Sequence, residues 1–191
     1  MKVSQTSLPG VLIIEPEVFE DARGFFLETF SAARYEGKSV PGPFVQDNHS
    51  RSLKGTVRGL HLQVKRPQGK LMRAVSGSML DVAVDVRVGS PNFGRWTAAL
   101  LSGDNFKQLY VPPGFAHGFA VLSDVVDVEY KCTDYYDPSD ELTILWNDPA
   151  IGIEWPVGEP TLSGRDQKAR PLAELVDRLP RLAPPEDVTR R

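Results

Sequence analysis

Residues 80–88 read LDVAVDVRV, an unbroken alternation in which every second residue is leucine or valine. Successive side chains of a β-strand point to opposite faces, so this period of two predicts a strand with two unlike faces. Leu80 and the valines share one face, and Asp81 and Asp85 share the other. Aspartate side chains are mostly solvent-exposed, so we expect Asp81 at the surface, with a polar cavity inside a barrel as the second possibility.

Short apolar runs separated by turn residues continue along most of the chain. Sixteen prolines and sixteen glycines interrupt runs such as VLII at residues 11–14 and VVDVEY at residues 125–130. Short strands with regular turn signals indicate an all-β sandwich or barrel. Helix is expected only at residues 31–36, with Ser31 as the N-cap, and at residues 171–179, where apolar residues recur at helical spacing after an initial proline.

The length of 191 residues suits one domain that buries about 70% of its unfolded surface. We expect that domain to span residues 1–180 and a poorly ordered, proline-containing tail to span residues 181–191. A hydrophobic fraction of 41% and a charged fraction of 25% are typical of a soluble globular protein. The net charge of -3 argues against nucleic-acid binding, and no apolar run approaches the ~20 residues of a membrane helix.

Cys132 is the single cysteine, so an internal disulfide is impossible. No apolar signal region follows Met1, and we therefore expect a protein of the reducing cytoplasm. The thiol itself is expected to serve as a small, half-buried hydrophobic group in a strand.

Two neighbouring segments carry the strongest chemical signal, GTVRGLHLQ at residues 55–63 and QGK at residues 68–70. They combine a candidate base, His61, with the cations Arg58 and Lys70. A neutral histidine is a competent base near pH 7, and a lysine can neutralise the oxyanion that forms when a proton leaves the carbon next to a carbonyl. This pattern favours enolate chemistry.

Such chemistry needs two further groups that sequence spacing leaves open. A carboxylate should orient the histidine, and either Asp166 or Asp81 could do so. Proton delivery to the opposite face of the substrate needs an acid that stays protonated at neutral pH, which suits a tyrosine. Three tyrosines crowd one predicted strand and its turn: Tyr130, Tyr135 and Tyr136.

The sequence also suggests recognition of a phosphorylated ligand without a standard nucleotide motif. It contains neither a Walker loop nor a dinucleotide fingerprint. Arg23 and Arg58 could grip a pyrophosphate through paired hydrogen bonds. Phe25 and Phe26 alternate faces, so one could pack in the core while the other stacks on a base.

The segment PPGFAHG at residues 112–118 resembles half of a cupin metal signature, but the other half, a His-x-His pair, is missing. The chain has three histidines, His49, His61 and His117, and three well-placed ligands are hard to assemble from them. We therefore expect no metal.

Together these segments resemble the dTDP-4-dehydrorhamnose 3,5-epimerase family. The resemblance covers roughly residues 8–175 and runs, in order, through PEVFEDARGFFLETF, FVQDNHSRS, GTVRGLHLQ, QGKLMRAV, DVAVDVRVGSPNFGRW, VPPGFAHGFAVLS, EYKCTDYYDPSDE and WNDPAIGIEWP. It implies an all-β cupin-type jelly roll without metal or cofactor, usually a homodimer in which an N-terminal strand joins the partner's sheet. It also implies inversion of C3 and C5 of dTDP-4-keto-6-deoxy-D-glucose in dTDP-L-rhamnose biosynthesis.

The resemblance further implies a role for each site residue. His61 would be the base, paired with Asp166; Lys70 would stabilise the 4-enolate, and Tyr130 would reprotonate from the other face. His117, tied to Asp81, would hydrogen-bond near the sugar, which brings Asp81 inward. Positions that would contact the dTDP-sugar, some across a dimer interface, are Arg23, Phe26, Glu28, Gln46, Asp47, Asn48, Arg58, Tyr136, Glu141 and Arg165.

Leu62 follows the histidine where many members of that family carry an aromatic residue. Its side chain should point away from the face of His61, so we expect altered packing rather than lost activity. The departure leaves room for an enzyme that inverts C3 or C5 alone. The same residues also leave room for a 3,4-ketoisomerase, for a cupin that binds a nucleotide sugar without catalysis, and for a metal-dependent oxygenase.

Overall fold

The computed structural model describes residues 1–182, which are built almost entirely of short β-strands. The strands are β1 (Lys2–Gln5), β2 (Leu12–Glu15), β3 (Val18–Asp21), β4 (Gly24–Leu27), β5 (Gln46–Leu53), β6 (Val57–Gln63), β7 (Lys70–Ser76), β8 (Ser78–Asp85), β9 (Trp96–Ser102), β10 (Gln108–Val111), β11 (Phe115–Val121), β12 (Val125–Cys132) and β13 (Glu141–Thr143). Within this described part, no helix is long and apolar enough to cross a membrane.

Two antiparallel sheets form the body of the protein. One has six strands in the order β1-β2-β10-β7-β12-β5, and the other has five in the order β13-β6-β11-β8-β9. Their inner faces supply one apolar core, in which Met72 and Val128 of the first sheet meet Met79 and Phe119 of the second. Strands β3 and β4 form a separate hairpin. The prediction of an all-β jelly roll is confirmed.

Strand β8 has two buried faces, which corrects the expectation that Asp81 faces water. Asp81 and Asp85 are fully buried, and Ala83 on the same face belongs to the core between the sheets. The valines face outward into a second apolar cluster. The alternation therefore predicted the strand correctly, but its polar side faces the interior.

The strand ends at Asp85, three residues earlier than predicted. The carboxylate of Asp85 accepts hydrogen bonds from the Arg87 backbone and guanidinium and from Ser90, which fold the following chain into a turn. Burial raises the pKa of Asp85, but these hydrogen bonds outweigh it and hold the pKa below its usual value.

Residues 171–179 cover the outer face of the five-stranded sheet, as two 3-10 turns rather than the predicted amphipathic helix. The turns are Leu172–Glu174 and Val176–Arg178. Leu172, Leu175 and Leu179 are buried in the outer cluster, so the apolar pattern is used as expected. A segment this short gains little from α-helical hydrogen bonding alone, and its packing decides its conformation.

Two smaller predictions concern the first helix and the tail. The helix α1 (Ala32–Glu36) starts after Ser31 as expected, although the Ser31 side chain makes no capping hydrogen bond. Arg181 pairs with Val88, and the Leu182 N–H donates to the Val88 carbonyl, so these two residues do not belong to a poorly ordered tail. The rest of that predicted tail lies outside the described residues.

Asp148 fastens residues 171–179 to the sheet, and its removal should be costly. Its buried carboxylate accepts hydrogen bonds from the backbone N–H groups of Leu172, at 2.6 Å, and Ala150, at 2.9 Å. We expect Asp148→Ala to lower the free energy of unfolding by about 1–3 kcal/mol, because the buried N–H of Leu172 loses its acceptor. Urea unfolding measures this. Asp177→Ala, at an exposed position, is the control, and an equal loss in both variants would contradict the role of Asp148.

Candidate active site

A cavity of about 390 Å³ lies between the two sheets and opens to solvent. The five-stranded sheet contributes Arg58, His61, Gln63, His117 and Phe119 to its lining, and the six-stranded sheet contributes Gln46, Asn48, Ser50, Lys70, Met72, Tyr130 and Cys132. Leu62 and Glu141, also from the five-stranded sheet, complete the lining together with Gln68, Tyr136 and Arg165. The cavity therefore brings together residues from Gln46 to Arg165, which are 119 positions apart in the chain.

His61 and His117 are direct cross-strand neighbours on β6 and β11. The pairing is irregular between His117 and Phe119, and the strands approach closely at Gly59 and Gly118. A Cβ on Gly59 would lie 2.6 Å from the Gly118 Cα, and Gly59 has a φ of +132°. Glycine is required there because any side chain would push the two histidine-bearing strands apart.

His61 is held by Asp166, which answers the question that sequence spacing left open. The Nε2 atom of His61 lies 2.6 Å from Asp166 Oδ1, and the other ring nitrogen, Nδ1, lies 4.0 Å from Glu141 Oε1. Asp166 begins a 3-10 turn and is buried. An ionised Asp166 fixes the N–H on Nε2 and leaves the lone pair on Nδ1.

Asp166 is suited to remain ionised behind the histidine. Burial raises the pKa of Asp166, but hydrogen bonds from His61, Ser163 and the Gly59 backbone outweigh it, so the pKa lies below its usual value. A fixed carboxylate of this kind stabilises the imidazolium that forms when the histidine takes a proton.

A second histidine–carboxylate pair lies beside the first. His117 Nε2 is 2.7 Å from Asp81 Oδ1, and both residues are buried. The other oxygen of Asp81, Oδ2, is buried and has no hydrogen-bond partner within the described chain. Asp81 is therefore the partner of His117, and each of the two candidate carboxylates pairs with a different histidine.

Tyr130 and Lys70 approach the cavity from the opposite wall. They lie on adjacent strands of the six-stranded sheet, β12 and β7, whose inner face is directed at the histidines. Burial raises the pKa of the Tyr130 phenol, which therefore stays protonated at neutral pH. Burial lowers the pKa of the Lys70 ammonium, against the opposing influence of Cys132 and Asp81.

A linked group of three polar side chains forms one edge of the cavity. The Tyr136 hydroxyl donates to Glu141 at 2.8 Å, Arg165 forms an ion pair with Glu141, and an Arg165 N–H donates to the Tyr136 oxygen at 3.3 Å. The cationic lining residues in the described chain are Arg58, Lys70 and Arg165, against one carboxylate, Glu141. This excess of positive charge suits an anionic ligand.

Four residues assigned to the ligand lie elsewhere in the protomer. Arg23 and Phe26 are on the exposed β3–β4 hairpin, where Arg23 binds Asp21. Glu28 follows the hairpin and lies 3.5 Å from Arg34, and Asp47 points to the outer face of β5 and binds Lys131. The structure does not bring these four side chains into the cavity.

The expectation that one of Phe25 and Phe26 packs in the core is wrong. Phe25 is 59% exposed and Phe26 is 69% exposed, and the ring centroid of Phe25 lies 4.7 Å from that of Phe106.

Leu62 is buried in the outer apolar cluster, as expected for a side chain on the face of β6 opposite His61. The residue also borders the cavity.

The residues that line the cavity but were not predicted as site residues are Ser50, Leu62, Gln63, Gln68, Met72, Phe119 and Cys132. Strand periodicity could have indicated two of them, Gln63 and Cys132. Gln63 lies two positions after His61, and Cys132 lies two positions after Tyr130, so each shares the inward face of its predecessor. Gln63 donates to the carbonyls of Arg66 and Tyr135 and thereby holds the loops beside the cavity. Cys132 is buried beside Lys70.

The histidines do not converge on a common point. His61 and His117 each bind a separate aspartate, and His49 lies on the outer face of β5 beside Asp127. Within residues 1–182, no group of three or more histidine, cysteine, aspartate or glutamate side chains is arranged to hold a metal ion.

Comparison with known proteins gives a consistent result. Residues 5–174 match the profile of the family described as dTDP-4-dehydrorhamnose 3,5-epimerase. An enzyme of that name from Pseudomonas aeruginosa is 47% identical over 176 residues, which cover 91% of this chain and 97% of the relative. One from Neisseria gonorrhoeae is 51% identical over 175 residues, 91% of this chain, although the chain spans only about half (53%) of that relative's length.

A solved structure shares the whole architecture. The dTDP-6-deoxy-D-glucose-3,5-epimerase of Legionella pneumophila, crystallised in complex with dTDP-4-keto-L-rhamnose, superimposes with a TM-score of 0.93 and is 48% identical. The alignment covers 96% of this chain and 99% of the other. On the match to the family profile and the identity to these relatives, this chain belongs to the dTDP-4-dehydrorhamnose 3,5-epimerase family.

Proposed function

We propose that this chain inverts C3 and C5 of dTDP-4-keto-6-deoxy-D-glucose, in the biosynthesis of dTDP-L-rhamnose. The observation that carries the proposal is the pair of proton-transfer groups on opposite walls of one cavity. His61, with its aspartate, faces Tyr130 across a space that Lys70 also lines. Inversion of a carbon next to a ketone needs a base on one side, an acid on the other and a cation for the enolate.

In the first step, His61 removes the proton from C5 or C3. Because Nε2–H is committed to Asp166, the Nδ1 lone pair would accept the proton, and the aspartate would stabilise the resulting imidazolium. The electrons of the C–H bond move into the C4 carbonyl, whose oxygen becomes an enolate. Lys70 would bind that oxygen and neutralise its charge.

In the second step, Tyr130 returns a proton to the carbon from the opposite face. Its raised pKa keeps the phenol protonated before the step, and an enolate is basic enough to take its proton. C3 and C5 both flank C4, so one enolate-stabilising group can serve both abstractions after a small shift of the sugar ring. His117, held by Asp81, would hydrogen-bond the sugar beside the reacting carbons.

The dTDP group would occupy the polar part of the cavity. Arg58 and Arg165 would pair with the pyrophosphate, because a guanidinium matches phosphate oxygens bidentately. Tyr136 would lie near the thymine or sugar ring. The remaining polar contacts are assigned to Gln46, Asn48 and Glu141.

Four residues assigned to the ligand lie outside the cavity of the chain that carries them. We propose that they contact the ligand bound in a second copy of the chain, so that the protein is a homodimer. This is supported by the exposed aromatic rings of the β3–β4 hairpin, Phe19, Phe25 and Phe26, since clustered exposed aromatics mark interaction surfaces. Sedimentation equilibrium of the wild type and of Phe26→Ser tests it. A monomeric wild type would refute the assignment.

The reaction as proposed requires no metal or redox cofactor, because inversion by proton exchange leaves the oxidation state unchanged. The cytoplasm, where a lone thiol remains reduced, is the proposed location. Dialysis against a chelator should leave turnover intact, and loss of turnover that a divalent cation restores would reject this part of the proposal.

The deciding experiment is incubation of the wild type with dTDP-4-keto-6-deoxy-D-glucose in deuterated water, followed by NMR. Deuterium at C3 and C5, together with inverted configuration at both, is the expected result. Label and inversion at one carbon alone would identify a single-centre epimerase instead. Absence of label would favour a binding protein.

Lys70→Met should lower kcat by about 10²-fold, the usual cost of losing one oxyanion-stabilising group. The affinity for dTDP should change by less than about threefold, because the ammonium is assigned to the ketone oxygen of the sugar and not to the nucleotide. Steady-state kinetics and calorimetry measure the two effects. Lys168→Met, at an exposed position, is the control. A loss of dTDP affinity that accounts for the whole effect would move Lys70 to the nucleotide site.

A further inference from the structure

Cys132 lies beside Lys70 in the wall of the cavity. The two residues are direct cross-strand partners on β12 and β7, and both line the cavity. The thiol is 1% exposed. Tyr130, the assigned acid, lies two positions earlier on the same strand. Tyr130 and Cys132 therefore share one face of β12.

A chain of amide hydrogen bonds holds the thiol in place. The backbone N–H of Tyr136 donates to Gln46 at 2.9 Å, and Gln46 donates to the Asn48 side-chain oxygen, also at 2.9 Å. Asn48 then donates to the Cys132 sulfur at 3.7 Å. This connects the edge of the cavity at Tyr136 to the sulfur next to Lys70.

The Cys132 thiol is an uncharged neighbour of the Lys70 ammonium. Burial raises the pKa of the Cys132 thiol, with Lys70 acting in the opposite sense, and the sulfur therefore carries its proton at neutral pH. A thiol sulfur is a weak hydrogen-bond acceptor. The Asn48 amide already donates to it, at 3.7 Å. The ammonium of Lys70 is consequently not drawn towards this part of the wall.

We infer that Cys132 is a positioning residue for Lys70, one that fills the wall beside the ammonium without taking up its hydrogen bonds. The inference rests on the proposed assignment of Lys70 to the enolate oxygen. An oxygen acceptor at position 132 would bind the ammonium more strongly than sulfur does. It would compete with the substrate's ketone oxygen for the same donors. A residue with no acceptor, such as alanine, would leave those donors to the substrate, as the thiol does.

The test follows kcat against pH in the full chain with the dTDP-4-keto sugar, for Cys132→Ser and Cys132→Ala. Turnover needs Lys70 protonated, so kcat should fall as pH rises through the pKa of Lys70. A hydroxyl accepts a hydrogen bond from the ammonium and should move this alkaline limb up by about half a pH unit, whereas alanine, which like the thiol takes up none of these hydrogen bonds, should leave the limb in place. A structural role alone would lower activity in both variants and displace the limb in neither.

Several other titratable groups face Lys70 and must be separated from it. They are Asp81 on β8, His117 on β11, His61 on β6 and Tyr130 on β12. Lys70→Arg separates them, because a guanidinium stays protonated throughout the range. The limb of Lys70 should therefore disappear and leave the limb of Tyr130 at higher pH, since burial raises the pKa of that phenol. Thr97→Ala, which removes a buried hydroxyl from β9 away from the cavity, should leave the limb unmoved.

The outcomes test the role of Cys132 separately from the proposed role of Lys70 in catalysis. A limb that moves up in the serine variant and stays in place in the alanine variant supports the role of Cys132. A limb that shifts in Lys70→Arg but stays fixed, or moves the same way, in both Cys132 variants overturns that role alone. A limb that stays at its wild-type pH in Lys70→Arg counts against the assignment of Lys70. Calorimetric binding of dTDP verifies folding, and Cys132→Val replaces the alanine variant should that fail to fold.

Discussion

His61→Ala should abolish deuterium incorporation at both C3 and C5, with turnover falling by about 10³- to 10⁴-fold, the upper range for loss of a general base. Both losses should occur together because one imidazole serves both carbons. The other histidine that lines the cavity, His117, is assigned to hydrogen-bond the sugar rather than to remove a proton. NMR of the substrate in deuterated water measures the exchange at each carbon separately.

Binding of dTDP separates this effect from a general loss of structure. The nucleotide is assigned to the arginines and amides of the cavity, so its affinity, measured by calorimetry, should stay within about threefold of the wild-type value. His49→Ala is the matched control because His49 lies on the outer face of β5. Persistent exchange at one carbon in His61→Ala would mean that the two carbons use different bases.

The sequence predicted the elements of this fold better than it predicted their surroundings. The alternation at residues 80–88 identified a strand with two unlike faces. It could not show that a distant segment, residues 171–179, would cover the apolar face and leave the polar face inside. Asp81 looked exposed for that reason. Burial depends on what packs against a strand, and local periodicity carries no information about that.

The pairing of His61 with Asp166 could likewise not be predicted from local sequence patterns. His61 and Asp166 are 105 positions apart, and His61 meets His117 through the register of two strands that are far apart in sequence. Residue chemistry narrowed the candidates to two carboxylates, and the family resemblance chose between them. Within a single strand, more of the site could be predicted from the sequence. Gln63 lies two positions after His61 and Cys132 two positions after Tyr130, so each shares the strand face of its predecessor.

Tyr130→Phe should separate two processes that the wild-type enzyme performs together. Production of the inverted sugar should fall by about 10³-fold, because the acid on the second face is gone. Exchange should fall much less. His61 still removes the proton, becomes deuterated by solvent, and returns deuterium to the same face. The recovered sugar should therefore carry deuterium in its original configuration, which NMR detects by combining label position with coupling constants.

This outcome depends on the two proton-transfer groups standing on different sheets. A base and an acid on one wall would deliver protons to one face, and removal of either would reduce exchange and inversion alike. His61 projects from β6 of the five-stranded sheet and Tyr130 from β12 of the six-stranded sheet, so the faces they serve are opposite. Tyr135→Phe, at an exposed phenol on the loop after β12, is the control. Equal losses of exchange and inversion in Tyr130→Phe would show that the phenol takes part in proton removal, or in binding, and would transfer the role of acid to another group.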